Sequence, residues 1–261
     1  MGTRAATPAA AALVVQVLLL VAVAGIAAHA GVGLSTAGWI VGVSCGLVTD
    51  SALAFGVTHY RSERLTKADR VTLARATLAA CVAALVVDSF ARPVPVALVV
   101  SLSAVALALD AVDGWVARRT GTGPLGARFD GEVDAFLILV LSVYVAGSLG
   151  GWVIAIGAFR YAFVLAGWAL PWLLGDLPRR RSRSAVAAVQ GLVLVIAAAG
   201  VVPTPVTATV VAGSLAALSW SFGRDIRYLH QIDVRQRAIV TNETAVVRTA
   251  PAAEPFVGVG Q

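Results

Sequence analysis

The sequence predicts an all-α polytopic integral membrane protein with about eight transmembrane helices. Three observations carry this reading. The mean hydropathy is +0.86. Only 13% of the residues are charged, where soluble domains carry about 25%. The basic residues fall in alternate loops between long apolar runs, as the positive-inside rule requires. The net charge of +6 comes from 19 arginines and one lysine. Confined to short loops, these residues fit anionic lipid headgroups, and nucleic acid is not expected as a partner. Cys45 and Cys81 both lie in apolar runs, and His29, His59 and His230 are scattered. None of them forms a metal or disulfide framework.

The elements follow in order. Residues 9–30 are apolar over a length that exceeds the roughly 7–15-residue core of a signal peptide. A second span, 35–58, follows across the uncharged turn GVGLS, so both are read as a retained transmembrane hairpin. The third span, 70–90, carries Arg75 in its first turns. That arginine either snorkels to the headgroups or points into a polar site. Spans four and five, 94–118 and 128–148, flank the turn-rich stretch TGTGPLG. The sixth, 151–175, has Arg160 in its interior, and the loop LPRRRSRS leads to the seventh, 185–202. The turn VPTP opens the eighth, at about 205–222. Basic residues at 4, 61–70, 118–128, 179–183 and 224–237 place those segments and both termini in the cytoplasm. Three parts result: a hairpin over 1–58, a membrane domain over 59–230 and a cytoplasmic tail over 231–261. From residue 238 the tail has no sustained period and is expected to be disordered.

Residues 110–134, DAVDGWVARRTGTGPLGARFDGEVD, hold five of the fourteen acidic residues. A carboxylate beside a bilayer is costly, so it faces a polar interior, pairs, and marks function. Asp110 and Asp113 are three apart, and Asp130 and Asp134 four apart, so each pair shares one helix face. Folded back across the turn, the four would converge at the membrane–cytosol boundary. Carboxylates that close cannot all ionise without a cation. An oxygen-only donor set suits Mg²⁺ or Mn²⁺, with room for two ions. Glu132 lies roughly 160–200° around the helix from its neighbours and is left out of the metal set.

The same stretch reads D-x2-D-G-x2-A-R, seven residues, then G-x3-D-x3-D, with Asp110, Asp113, Gly114, Ala117, Arg118, Gly126, Asp130 and Asp134 at the fixed positions. It closely resembles the signature of the CDP-alcohol phosphotransferase family, integral membrane enzymes of phospholipid synthesis. The usual gap between the Arg and the second Gly is about eight; here the turn is one shorter, a change that an interhelical loop tolerates. Asp69, Thr72 and Arg75 resemble a second, weaker family motif, N-x-x-T-x-x-R, with Asp in place of Asn.

The resemblance implies a six-helix core over roughly 60–230, with the 1–58 hairpin as an addition. It implies transfer of a substituted phosphate from a CDP-linked lipid, CDP-diacylglycerol or a relative, to an alcohol acceptor with release of CMP. Asp110, Asp113, Asp130 and Asp134 would hold the metal, and Asp134 would also be the general base. Gly114, Ala117, Arg118 and Gly126 would line the nucleotide site. Small residues there also suit helix packing, and Arg118 also suits a topological charge. In relatives with phosphorylated acceptors, such as inositol phosphate or glycerol phosphate, basic residues hold that phosphate; Arg75, Arg160, Arg181 and Arg183 are the candidates, since Arg binds phosphate bidentately. Arg181 and Arg183 equally suit the positive-inside pattern. Relatives are commonly homodimers, and the loop charges of this chain place the site on the cytoplasmic side of the cell membrane. A different class, a divalent-cation transporter using the four Asp as its ion site, would place its carboxylates near the bilayer midplane on broken helices with internal repeats. A catalytically silent scaffold would not need the intact acidic set.

Overall fold

The computed structural model describes residues 3–29, 31, 33–59, 67–120, 124–174 and 181–249, with side chains described at 14–29, 31, 33–49, 51, 71–112, 130–173 and 185–235. Among these residues the chain is all-helical and no strand occurs. The helices are α1 (Thr3–His29), α2 (Thr36–His59), α3 (Lys67–Ser89), α4 (Val96–Thr120), α5 (Pro124–Leu149), α6 (Ile154–Ala169), α7 (Arg181–Ala199) and α8 (Thr204–Thr249). Short 3-10 turns, Gly151–Val153 and Pro171–Leu174, flank α6. Four stretches, Val71–Ser89, Asp130–Leu149, Gly151–Ala169 and Thr204–Arg235, are long and apolar enough to cross a membrane. Shorter apolar stretches run through α1, α2, α4 and α7 among the described residues. The protein is therefore a helical membrane protein.

Punctuation in the sequence sets the boundaries. Pro124 opens α5 at the helix position where a missing N–H costs nothing. Gly150 and Gly200 hold φ of +101° and +64° in the turns before α6 and after α7, a region that favours glycine. The tail differs from expectation. Residues 231–249 continue α8 as helix, because no Gly or Pro interrupts the chain between Gly223 and Pro251. A lack of amphipathic period argued for disorder, but a helix that extends an anchored one has no nucleation cost. At 46 residues, α8 is about 69 Å long, roughly twice the hydrocarbon thickness of a bilayer. Residues 250–261 lie outside the described residues.

The bundle is built around α3, which packs against α1, α2, α4 and α5. Its span is 78% buried. Ala76, Ala79, Ala80, Ala83 and Ala84 leave it slender, so neighbouring backbones approach closely. Around it, α4 and α5 pack on α7, α5 on α6, and α7 on α8. Gly157 of α6 sits against the backbone of Leu139 on α5, where a Cβ has no room.

The first hairpin is joined to this bundle. Leu20 and Val23 of α1 belong to the same buried cluster as Ala79, Val82 and Leu85 of α3. A polar latch ties its turn to the end of α3. Asp88 is 2% exposed and accepts the Ser35 backbone N–H at 2.8 Å, the Ser35 hydroxyl, and Arg92 Nη2 at 2.9 Å. The Ser35 oxygen in turn accepts the Gly38 N–H at 3.0 Å.

Two stability outcomes follow, both read from thermal unfolding in detergent. Asp88→Ala leaves three donors without their acceptor and is expected to cost about 3 kcal/mol. Gly157→Val drives a side chain into α5 and is expected to cost at least about 2 kcal/mol, while Gly147→Ala, with nothing within 4 Å of its would-be Cβ, leaves the midpoint unchanged or slightly raised.

Candidate metal centre and active site

Three helices bring one cluster together. In its second half α4 presents Asp110, α5 presents Asp130 and Asp134 one turn apart, and α3 presents Arg75. Ligand oxygens of Asp110, Asp130 and Asp134 all lie within 4.8 Å of one another. The i,i+4 spacing read from the sequence thus puts both α5 acids on the face that meets Asp110. Asp113, Gly114, Ala117, Arg118 and Gly126 lie on the backbones of α4 and α5, but their side chains fall outside the described residues. Arg181 and Arg183 begin α7 in the same position.

Arg75 points into this cluster and not toward the headgroups. Its Nη1 lies 3.0 Å from Asp110 Oδ1 and also bonds Asp130 Oδ1, while Nη2 bonds Asp134 Oδ1. The arginine side chain is 1% exposed, and the three carboxylates are each about one-third exposed, at 31%, 33% and 28%. The cluster is therefore closed on the arginine side and open on the acid side. A guanidinium stays protonated at any physiological pH, so it offsets one of three negative charges that would otherwise repel one another.

The donor set also fits a hard cation. It contains only carboxylate oxygens, close enough together to share a divalent metal ion.

Arg160 is held elsewhere. Its Nη2 bonds Glu132 Oε1 and its Nε reaches Oε2 at 3.4 Å. Glu132 lies between Asp130 and Asp134 in sequence, so it projects from the other side of α5. The two halves of this pair are 43% and 55% exposed. At one level of α5, an enclosed Arg–carboxylate cluster faces α3 and α4 and an open Arg–carboxylate pair faces α6.

From the sequence Arg75 is a candidate for binding phosphate; its three carboxylate partners emerge only in the tertiary structure. The available signal was its depth: an arginine one turn into an apolar span must find an acid, and the acids near the ends of the next two spans were the candidates.

The family assignment agrees with this geometry. The family model for CDP-alcohol phosphatidyltransferase matches residues 65–230. The chain belongs to the CDP-alcohol phosphatidyltransferase family. No curated protein and no solved structure matches the chain. The family implies transfer of a phosphatidyl group from a CDP-alcohol to an acceptor, within phospholipid biosynthesis. The matched region takes in α3 through the membrane part of α8 and includes Arg75, Asp110, Asp130 and Asp134; α1 and α2 precede it.

Proposed function

We propose that this phosphatidyltransferase moves the phosphatidyl group of CDP-diacylglycerol onto a phosphorylated alcohol, such as inositol phosphate or glycerol phosphate, with release of CMP. The observation that carries the reading is the convergence of Asp110, Asp130 and Asp134 within a chain of this family. Asp113 would complete the set from one turn further along α4. These carboxylates would hold Mg²⁺ or Mn²⁺, as one ion or two, which would supply charge neutralisation for the pyrophosphate.

The residues divide the remaining work. Gly114 and Ala117 of α4 and Gly126 of α5 would let the cytidine nucleotide approach the backbone, and Arg118 would bind its phosphates. Asp134 takes the proton of the acceptor hydroxyl as that oxygen attacks the lipid-linked phosphorus. A new P–O bond forms, the bond to the bridging oxygen breaks, and CMP leaves with the electron pair. Arg160, with Arg181 and Arg183, holds the acceptor's phosphate; Glu132 keeps the Arg160 guanidinium on the α6 side of α5. Arg75 is engaged by three carboxylates, which supports a role at the metal centre over one at the acceptor. The architecture in this reading is a six-helix catalytic core over 59–230, a two-helix hairpin over 1–58, and eight spans with both termini and the site on the cytoplasmic face of the cell membrane.

The test is CMP release by the purified protein from CDP-diacylglycerol across a panel of alcohols. CMP is expected only with an acceptor and Mg²⁺ or Mn²⁺, and chelation abolishes it. Metal flux into liposomes with no CMP from any acceptor would instead support an ion transporter. Asp134→Asn is expected to lower kcat by about 10²–10⁴-fold. Arg160→Ala is expected to raise KM for a phosphorylated acceptor by about 10-fold, the worth of one charge-assisted contact, with KM for CDP-diacylglycerol held within about twofold.

A further inference from the structure

We infer that Arg75 is a positioning residue: an internal counter-cation that holds Asp110, Asp130 and Asp134 together before metal binds, and that yields their oxygens when it does. This rests on the metal-dependent reading above, but it concerns how the site exists without its ion.

Four observations carry it. The guanidinium contacts one carboxylate oxygen on each of the three acids, and ligand oxygens of those acids lie within 4.8 Å of one another. A second cation placed on those oxygens would repel the first at close range in a poorly screened site. Arg75 is 1% exposed, so the charge has no route to solvent while it remains paired, and its partners must compensate it. Only Nη1 and Nη2 are engaged; Nε is buried without a hydrogen-bond partner. The terminal nitrogens alone therefore tie the guanidinium to the acids. Finally, the acids lie on α4 and α5 and the arginine on α3, so the pairing joins three helices at a point where α4 and α5 present only carboxylates to one another.

The consequence is an exchange. Without metal, Arg75 keeps the acids convergent and the bundle end intact. As metal binds, Arg75 gives up its pairs, and the loss of those contacts sets the apparent affinity. Removing the arginine should therefore strengthen metal binding while weakening the metal-free protein, the opposite of what loss of a metal-site support residue does.

The experiment measures Mn²⁺ binding to full-length protein in detergent by calorimetry, without nucleotide or acceptor. Arg75→Gln is expected to bind Mn²⁺ at least fivefold tighter than the wild type. Its metal-free unfolding midpoint should fall, and Mn²⁺ should raise that midpoint further than it raises the wild type's. Arg75→Lys, which keeps the charge, should stay within twofold of wild-type affinity. Unchanged or weaker Mn²⁺ binding by Arg75→Gln overturns the inference. If that variant does not fold, the wild type decides: phenylglyoxal labelling at Arg75, located by mass spectrometry, should rise at least threefold from chelator to Mn²⁺, and unchanged labelling overturns the exchange. None of these readouts needs CMP release. A protein that exchanges Arg75 for Mn²⁺ but releases no CMP keeps this inference and loses the function proposed above, and the reverse pattern loses only the exchange.

Discussion

The pairing of one buried arginine with three carboxylates is the constraint on which the rest of the bundle turns. Asp110, Asp130 and Asp134 belong to two helices that would repel each other at this point. Arg75 enters from a third helix and makes their convergence tolerable. A charge with 1% exposure in an apolar bundle survives only when paired, so α3, α4 and α5 cannot shift independently at this end. The functional cluster and the packing of the helices are one problem with one solution.

The other end of α3 repeats the device in a different form. Asp88 lies thirteen residues beyond Arg75 in the sequence, about 20 Å along the helix axis. It gathers Ser35 and Arg92 and draws the first hairpin onto the core. Between these two polar knots, α3 is a run of alanine, valine and leucine with Thr77 and Cys81 among them, buried on almost every side. A slender, small-residue helix gains little stability from bulk, so close backbone approach and two end contacts define its place. This also explains why the hairpin, which precedes the region matched by the family, is packed as part of the same body and shares its buried cluster.

On α5, two-residue alternation sorts chemistry by direction. Asp130 and Asp134 meet α3 and α4, and Glu132 meets Arg160 from α6. One stretch of five residues thus carries an enclosed cluster and an open ion pair on opposite sides. The first suits a cation, the second offers a guanidinium already oriented by a carboxylate. The division follows from the 100° turn per residue of any α-helix.

Much of this protein was legible from residues alone. Long apolar runs cut by glycine and proline located the helices, since period and breakers act locally. The spacings of Asp110, Asp130 and Asp134 identified the helix faces and the family, and two-residue spacing excluded Glu132, because helical geometry is the same in every protein. Other features depended on which helices become neighbours. The continuation of α8 to Thr249 required an anchored helix upstream, not an amphipathic period. Ser35 and Asp88 are 53 residues apart, and no local pattern links a turn serine to the far end of another helix. Arg75 showed in sequence only that it needed a partner. Its choice of three acids, 35 to 59 residues downstream, was decided by tertiary structure, because a buried charge is satisfied by whatever the fold brings within reach.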